Sequence, residues 1–407
     1  MSQSVAEGGL DAFPQTTLSH AVRILTVSHF YERHGGGIER VAAQLCRQFA
    51  RDGHQALWAA SDCDPLPDAP IAAVPLRCAN PTEGWTGLPM PIPGRRAMRD
   101  LARAIRASDA VIVHDSLYLT SILAMLFARM RGKPVVLIQH IGGIKFANAL
   151  LRSLMRIANY VVTRPMLNAA QQLVFISDQV RHELLGDTDS PHSVLLFNGV
   201  DTSIFCPHDP KNNSAVRLRH GLPAEAKLAL FVGRFVEKKG LGVIEAIARD
   251  CPDLQIAMVG SGPIRPESWN LPNVHLLGPQ SQSTIAELYG AADLFLLPSV
   301  GEGYPLVIQE AMACGLPVVC GDMSARADPG AERWLRGVEI DLADPAGSAG
   351  HCISAIGRLL REPIDRTAMA EYAAKTYSWP VMARAVVQSL SRPVEAVDCA
   401  AGRFQPG

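Results

Sequence analysis

The sequence predicts an α/β protein of two Rossmann-like domains, each a doubly wound parallel sheet, that face each other across a cleft. Three observations support this prediction. The chain has 407 residues, which is too long for one ordinary domain. Hydrophobic residues make up 48% of it, enough for two cores. Short apolar runs alternate with helical patterns in two separate series, as expected for parallel sheets covered by helices on both faces.

The first series occupies residues 21–200 and follows residues 1–20, which we expect to be flexible. Its leading strand, residues 22–28, is followed by three glycines at 35–37. A helix is predicted over residues 38–52, where apolar residues recur at helical spacing until Gly53 ends the pattern. Further strands are predicted at residues 55–60, 110–114, 134–139, 172–176 and 193–197.

Residues 201–226 are polar and rich in proline, so they are the predicted interdomain linker. The second series forms a domain over residues 227–378, and a closing helix over residues 379–391 returns toward the first domain. Residues 392–407 are expected to be a flexible tail. Strands of the second domain are predicted at residues 228–232, 255–259, 274–277, 294–297, 317–320 and 337–340.

Charge and cysteine content exclude several classes of protein. The formal net charge is −1, whereas a general nucleic-acid binder carries a strong basic excess. The nine cysteines are scattered and include no C-x-x-C pair, so we expect reduced thiols in a cytoplasmic protein and no zinc site. Residues 1–20 contain no apolar run and are not expected to be a signal peptide. The longest apolar stretch, residues 117–127, is too short to span a membrane.

The segment with the most specific signal for a binding site runs from Glu302 to Gly315. A predicted strand and a glycine-bearing loop precede it, Pro305 suits the first position of a helix, and Gly315 suits its stop. The open N–H groups at residues 304–307 favour a phosphate. Glu302 and Glu310 flank that anion site, which suits a nucleotide diphosphate linked to a sugar, because carboxylates accept hydrogen bonds from hydroxyls. The alternative is that Glu310 lies on the solvated face of an amphipathic helix.

Glu302 and Glu310 match the E-x7-E signature of a known family, within the wider pattern E-G-[YF]-x-L-x-x-x-E-A-M-A-C-G-x-P-V-V. Further matches are Gly233-Arg234-Phe235 with Lys238-Lys239-Gly240, Val259-Gly260-Ser261-Gly262-Pro263, Asn198-Gly199-Val200-Asp201, the opening Gly35-Gly36-Gly37-Ile38-Glu39-Arg40, and Tyr377-Ser378-Trp379. The sequence thus resembles the retaining glycosyltransferases of the GT-B fold in family 4 (glycosyltransferase group 1). The resemblance covers about residues 23–390 and is stronger in the second half.

The resemblance implies that the second domain binds a nucleotide-sugar donor and that the first supplies the acceptor surface. Arg234 and Lys239 would neutralise the leaving nucleoside diphosphate, so no metal or other cofactor is expected. Glu302 would position the sugar hydroxyls, and His140 would lie near the transferred sugar; these four residues are the expected catalytic set. The expected donor-binding residues are Gly36, Gly37, Arg234, Lys239, Gly260, Tyr304, Leu306, Val307 and Glu310.

Plainer interpretations stay open for several of these residues. Lys238 and Lys239 also fit a solvated charge run with Glu237, which is the interpretation kept for Lys238. Gly36, Gly37 and Gly260 also fit ordinary turns. His114 and Asp115 end a predicted strand at the cleft edge, and their role is left open. Residues 144–164 carry basic side chains on one helical face. That face is either solvated or in contact with the anionic inner face of a membrane.

We therefore expect a metal-independent, retaining glycosyltransferase that transfers a hexose from a UDP- or GDP-sugar. The acceptor would be a glycan, a glycolipid or a small molecule, and nucleic acid is not an expected partner. Two other classes remain open. One is a nucleotide-sugar epimerase, which shares the two-domain fold. The other is a non-catalytic protein that binds nucleotide-sugar and assists another transferase.

Overall fold

The computed structural model describes residues 21–81, 90–142, 159–186, 190, 192–362 and 364–390. The strands of the first domain are β1 Arg23–Val27, β2 Gln55–Ser61, β3 Ala72–Leu76, β4 Cys78–Ala79, β5 Ile92–Pro93, β6 Ala110–His114, β7 Val135–Gln139, β8 Gln172–Phe175 and β9 Ser193–Leu195. Seven of them form a parallel sheet in the order β3-β2-β1-β6-β7-β8-β9. β4 and β5 pair separately as an antiparallel ribbon.

Side chains alternate between two apolar layers along the strands of this sheet. Ile24 packs into one buried cluster and its neighbour Leu25 into the cluster on the opposite face. Both sheet faces are therefore buried, which is why these strands read as continuous apolar runs. The helices of this domain are α1 Gly37–Arg51, α2 Arg95–Ala107, α3 Leu119–Arg129, α4 Arg164–Ala169 and α5 Asp178–Leu185.

The second domain repeats the architecture with a six-stranded parallel sheet. Its strands are β10 Leu228–Val232, β11 Gln255–Val259, β12 Val274–Gly278, β13 Leu294–Leu297, β14 Val318–Gly321 and β15 Leu335–Val338, in the order β12-β11-β10-β13-β14-β15. Its helices are α6 Asn213–Arg219, α7 Leu241–Asp250, α8 Gln282–Ala291, α9 Leu306–Ala313, α10 Asp322–Ala325, α11 Pro345–Arg361 and α12 Arg366–Thr376. These two parallel-sheet domains confirm the predicted fold class.

The last helix, α13 Trp379–Ser389, packs into an apolar cluster of the first domain together with α1. Two chain crossings between the domains lie side by side, because Val200 and Ser378 form a parallel bridge. The backbone N–H of Val200 donates to the carbonyl of Tyr377 at 2.8 Å. A Cβ on Gly199 would stand 2.3 Å from the backbone nitrogen of Trp379, so only glycine fits at this crossing.

Several elements differ from the sequence-based prediction, among them the two short strands β4 and β5, which were not predicted. β3 was not predicted, because it is a partly exposed edge strand that contains Pro75. The last strand is Leu335–Val338, two residues earlier than predicted. Gly337 was predicted to begin this strand but lies inside it. A Cβ on Gly337 would lie 2.8 Å from that of Ala325, so glycine at this position allows α10 to pack close to the strand. Pro305 caps α9 and is not its first residue.

Candidate active site

The loops that follow the central strands of both sheets meet at the domain interface. Strand order reverses between β1 and β6 and between β10 and β13, and ligands of such sheets bind beyond the strand ends at these points. Nη2 of Arg40, on α1, lies 2.8 Å from Oε1 of Glu310, on α9. The carbonyl oxygen of His140 lies 2.7 Å from where a Cβ on Gly303 would stand. The predicted cleft residues of the two domains therefore converge.

Glu302 and Lys239 form an ion pair at the donor-domain side of this interface. Nζ of Lys239 lies 2.7 Å from Oε2 of Glu302, and these side chains are only 13% and 15% exposed. Lys238 is 61% exposed and its Nζ is 3.7 Å from the same carboxylate. The low exposure of its side chain and the short contact distinguish Lys239 from its solvated neighbour, so the two lysines do not form one solvated charge run.

Glu310 is buried, with only 3% of the residue exposed. Burial raises the pKa of its carboxyl, although the charge and hydrogen bond of Arg40 oppose the rise. The neighbouring Gln309 is fully buried, and both of its amide atoms lack a partner among the residues that the structure describes. The alternative of a solvated helix face is therefore wrong, and Glu310 is a carboxylate held at the interface by the other domain's arginine.

The side chains of Tyr304, Leu306 and Val307 are used for packing. The Tyr304 hydroxyl lies 2.8 Å from that of Tyr377, which donates to Oδ2 of the buried Asp328 at 2.6 Å. Leu306 packs on the first domain's apolar cluster, and Val307 packs on the second domain's core. What these three residues can offer an anion is their backbone N–H groups at the start of α9, where Pro305 supplies no side-chain cap.

Arg234 and Gly260 lie in neighbouring loops that follow β10 and β11. Arg234 is exposed and forms no ion pair with a carboxylate of the described chain, so its guanidinium is accessible to a ligand. A Cβ on Gly260 would stand 1.9 Å from the carbonyl oxygen of Gly233, and Gly260 has a φ of +137°. Glycine at 260 thus lets the two loops pack against each other, next to Arg234.

The start of α1 is covered by a carboxylate of its own helix. A Cβ on Gly36 would stand 2.0 Å from Oε2 of Glu39, whereas one on Gly37 would meet no atom within 4 Å. Oε1 of Glu39 lies 2.8 Å from Nε2 of His29, and both residues are buried. Burial tends to raise the pKa of Glu39, but the hydrogen bond and charge of His29 hold it below its ordinary value. Gly36 therefore makes room for Glu39.

His140 belongs to a buried histidine pair at the ends of β6 and β7. Its Nε2 lies 2.9 Å from Nδ1 of His114, and Oδ1 of Asp115 accepts from the backbone N–H of His140 at 2.8 Å. Burial lowers the pKa of His140 to about 3 and holds that of His114 well below its ordinary value, so both rings are neutral at pH 7. Burial raises the pKa of Asp115 to about 6.

Buried polar atoms without a described partner surround this histidine pair. They include Nε2 of His114, Nδ1 of His29 and Oδ2 of Asp115. Such atoms are costly to bury unless a water or a ligand satisfies them. His29, Glu39 and Arg40 are the residues to which sequence reasoning assigned no role. Their only signal was a place inside or beside the glycine-rich opening.

Both acidic residues of the E-x7-E pair lie beside a cation, Glu302 beside Lys239 and Glu310 beside Arg40. In the described part of the chain, one group of three metal-ligating side chains occurs, at His34, Cys63 and Asp64 in the first domain. The described helices include none that is long and apolar enough to cross a membrane.

Comparison with known proteins agrees with this geometry. Residues 35–204 match the family described as Glycosyltransferase Family 4, and residues 226–362 match Glycosyl transferases group 1. D-inositol 3-phosphate glycosyltransferase 2 of Catenulispora acidiphila is 30% identical over 313 residues, 70% of this chain and 71% of that protein. The chain spans about half the length of other curated relatives of that name, 54% and 59% for two of them.

Solved structures share the architecture. A sucrose-phosphate synthase from Thermosynechococcus elongatus superposes with a TM-score of 0.68 at 20% identity, over 90% of this chain and 98% of that one. Anabaena Alr3699/HepE, solved in complex with UDP and glucose, superposes with a TM-score of 0.63 at 17% identity, over 91% and 99%. These likenesses show the GT-B fold. Together with the two family matches and the 30% identical relative, they show that the chain belongs to the group 1 (family 4) glycosyltransferases.

Proposed function

We propose that this protein moves a sugar from a nucleotide-sugar donor to a hydroxyl acceptor, with retention of configuration, in glycan or glycolipid biosynthesis. The observation that carries the proposal is the convergence of Glu302, Lys239, Glu310 and His140 on one interface, although they come from four separate loops and helices of two domains. A nucleotide-sugar needs such an arrangement, with cations for its diphosphate and acceptors for the hydroxyls of its two sugar rings.

The donor diphosphate is assigned to Arg234, Lys239 and the uncapped start of α9. An ammonium has three donors, so Lys239 can keep its bond to Glu302 while it binds a phosphate oxygen. These groups stabilise the negative charge that develops on the leaving diphosphate, so the transfer is proposed to need no metal there. The structural likeness to a protein solved with UDP makes uridine the first base to test, with guanosine the second.

The transferred sugar is assigned to the space between Glu302 and His140. His140 is neutral, and its Nε2 already faces His114, so its Nδ1 is left to hydrogen-bond a sugar hydroxyl. The carboxylate of Glu302 accepts from hydroxyl groups of the same ring, and Glu310 accepts from the ribose of the nucleotide.

The acceptor is assigned to the first domain. Curated relatives carry the name D-inositol 3-phosphate glycosyltransferase, and one structural neighbour is a sucrose-phosphate synthase. Small phosphorylated polyols and sugars are therefore the first acceptors to test. Glycolipid acceptors are the second class.

A place at the inner face of the cytoplasmic membrane is supported by exposed apolar and basic side chains in two stretches of the chain. They are Leu126, Arg129, Met130 and Arg131 at and just after the end of α3, and Tyr160, Val161 and Arg164. Most of the segment 144–164 lies outside the described residues. Co-sedimentation with anionic vesicles, compared with zwitterionic ones, tests this contact.

The deciding experiment incubates the purified protein with a panel of UDP- and GDP-sugars, with and without candidate acceptors. Acceptor-dependent release of nucleoside diphosphate, with the product anomer assigned by NMR, supports a retaining transferase. Conversion of the donor sugar without an acceptor would indicate an epimerase. Tight donor binding with neither reaction, across both acceptor classes, would indicate the non-catalytic partner.

A further inference from the structure

Three side chains of different ligand type meet on the first domain, between the turn that precedes the glycine-rich loop and the loop that follows β2. His34 ends the short 3-10 turn Glu32–His34, and Cys63 and Asp64 follow β2. One ligand atom from each residue lies within 4.8 Å of the other two. Oδ2 of Asp64 is 3.2 Å from Nδ1 of His34 and 3.4 Å from Sγ of Cys63.

We propose that His34, Cys63 and Asp64 bind one zinc ion, with a water molecule in the fourth position. Zinc accepts imidazole nitrogen, thiolate sulfur and carboxylate oxygen at about 2.0–2.3 Å in tetrahedral geometry, which separates neighbouring ligand atoms by about 3.3–3.6 Å. The two measured separations already lie near that range. Magnesium and calcium are disfavoured because they prefer sites made of oxygen ligands only.

The surrounding fold holds these ligands in place while leaving them accessible. The ring of His34 stacks on that of the buried Phe30, with centroids 3.8 Å apart and planes 9° from parallel. The backbone N–H of Asp62 donates to the carbonyl of Leu76 at 3.0 Å, which ties the loop after β2 to β3. The side chains of His34 and Asp64 are 23% and 16% exposed, and Cys63 is exposed, so an ion can enter from solvent.

A zinc ion here would serve the architecture of the first domain. It would join the turn ending at His34 to the loop after β2, and Gly35, Gly36 and Gly37 follow that turn directly. The ion would thereby restrict the glycine-rich loop at the edge of the cleft. This role is separate from the donor diphosphate, which is assigned to Arg234, Lys239 and α9.

Cobalt titration of the full-length, chelator-treated protein tests the site, because thiolate–cobalt coordination has a charge-transfer absorption. We expect one equivalent of Co²⁺ to produce this band and Zn²⁺ to displace it. Cys63→Ser should abolish the band, and His34→Ala and Asp64→Asn should each weaken binding at least about tenfold. The matched control is Cys206→Ser, which removes another exposed cysteine and should keep the band.

Alkylation rates of the unmodified protein give a second test that does not depend on how the variants fold. Zinc should slow the alkylation of Cys63, whereas Cys206 in the same molecule should react at an unchanged rate. The proposal is overturned if saturating Co²⁺ gives no thiolate band, if the band survives in Cys63→Ser, or if zinc leaves the alkylation of Cys63 unchanged. None of these measurements uses sugar transfer, so they fail independently of the proposed function.

Discussion

Two helix N-termini face the interface between the domains, and they differ in the side chains that lie over them. α1 begins after Gly36, and the carboxylate of Glu39 folds back over this end and pairs with His29. α9 begins after Pro305, which makes no side-chain cap hydrogen bond. Both ends carry a partial positive charge from the helix dipole. Neither N-cap residue makes a side-chain cap hydrogen bond, so the difference between the two ends is the carboxylate of Glu39 that lies over the first.

This difference separates two binding assignments that rested on the same argument. Gly36 and Gly37 were expected to meet the donor phosphates or the acceptor, and the start of α9 was expected to bind the phosphates, because glycine and a helix N-terminus both suit an anion. At α1, however, an anion would have to displace a buried carboxylate held by a histidine. We therefore expect the diphosphate at α9, beside Lys239 and Arg234.

The largest effect is expected from removing the cations beside α9. Lys239→Ala and Arg234→Ala should each lower kcat by about 10²–10³, because the charge that develops on the diphosphate loses a partner. Initial rates of nucleoside diphosphate release at saturating donor measure this. Lys238→Ala is the control, since that neighbouring lysine is 61% exposed, and it should retain most activity. Unchanged rates in the first two variants would remove both residues from catalysis.

Removing the second carboxylate should weaken donor binding more than folding. Glu310→Ala deletes the acceptor assigned to ribose hydroxyls, and hydrogen bonds to charged groups contribute about 1.5–3 kcal/mol, so the donor Kd should rise roughly tenfold to a hundredfold. Calorimetric titration with the nucleotide-sugar gives the Kd. Glu245→Ala, at an exposed ion pair of α7, is the control. Equal affinity in Glu310→Ala and the parent would take Glu310 out of the donor site.

The pairing of Glu39 with His29 at the start of α1 should contribute to stability in a pH-dependent way. The pKa of Glu39 is lowered on folding from an ordinary value of 4.5, so its stabilisation is complete above that pH and is lost as the pH falls through the folded-state pKa. Glu39→Gln should therefore lower the free energy of unfolding at pH 7 by about 1–3 kcal/mol.

Urea unfolding, followed from pH 7 downward, measures this contribution. The difference between the parent and Glu39→Gln should shrink below about pH 4.5. A difference that stays constant over the whole range would mean that Glu39 does not titrate as the structure implies. Glu32→Gln, which changes the half-exposed partner of Arg47, is the matched control for loss of one carboxylate in the same segment.

The smallest effect is expected from metal removal. If the open helix end and its two cations suffice for the diphosphate, dialysis against EDTA should leave sugar transfer nearly unchanged. The assay compares transfer before dialysis, after it, and after addition of Mg²⁺, Mn²⁺ or Zn²⁺. Activity that vanishes and returns only with Mg²⁺ or Mn²⁺ would contradict the assignment. Partial loss restored by Zn²⁺ alone would instead point to His34, Cys63 and Asp64.

Features that depend on local sequence patterns, such as apolar runs and motif spacing, could be predicted from the sequence. Buried parallel strands appear as apolar runs, so both sheets were identified. The E-x7-E spacing and the Gly315 stop placed Glu302 and Glu310 around the start of one helix within a single segment. Edge strand β3 was not predicted, because Pro75 and partial exposure leave no run of buried apolar residues that would indicate a strand.

The parts that depend on contacts between distant residues could not be predicted. Arg40 and Glu310 are 270 positions apart, and only the packing of two domains brings them within 2.8 Å. His34 and the Cys63–Asp64 pair come from loops after neighbouring strands, so no ligand spacing is visible in the sequence. The contact between Gly36 and Glu39 could not be predicted for the same reason, since nothing local shows that Glu39 turns back over this glycine.

The side-by-side crossing of Val200 and Ser378 has a consequence for the physical independence of the domains. Because α13 lies in the apolar cluster of the first domain, that domain is discontinuous along the chain, and the second domain is an insertion within it. A fragment ending near residue 200 would expose the apolar surface of α1 that α13 covers, and should aggregate. The same fragment joined by a short linker to residues 379–390 should remain in solution. The second domain has both of its ends in one place, so it should also fold when it is expressed alone.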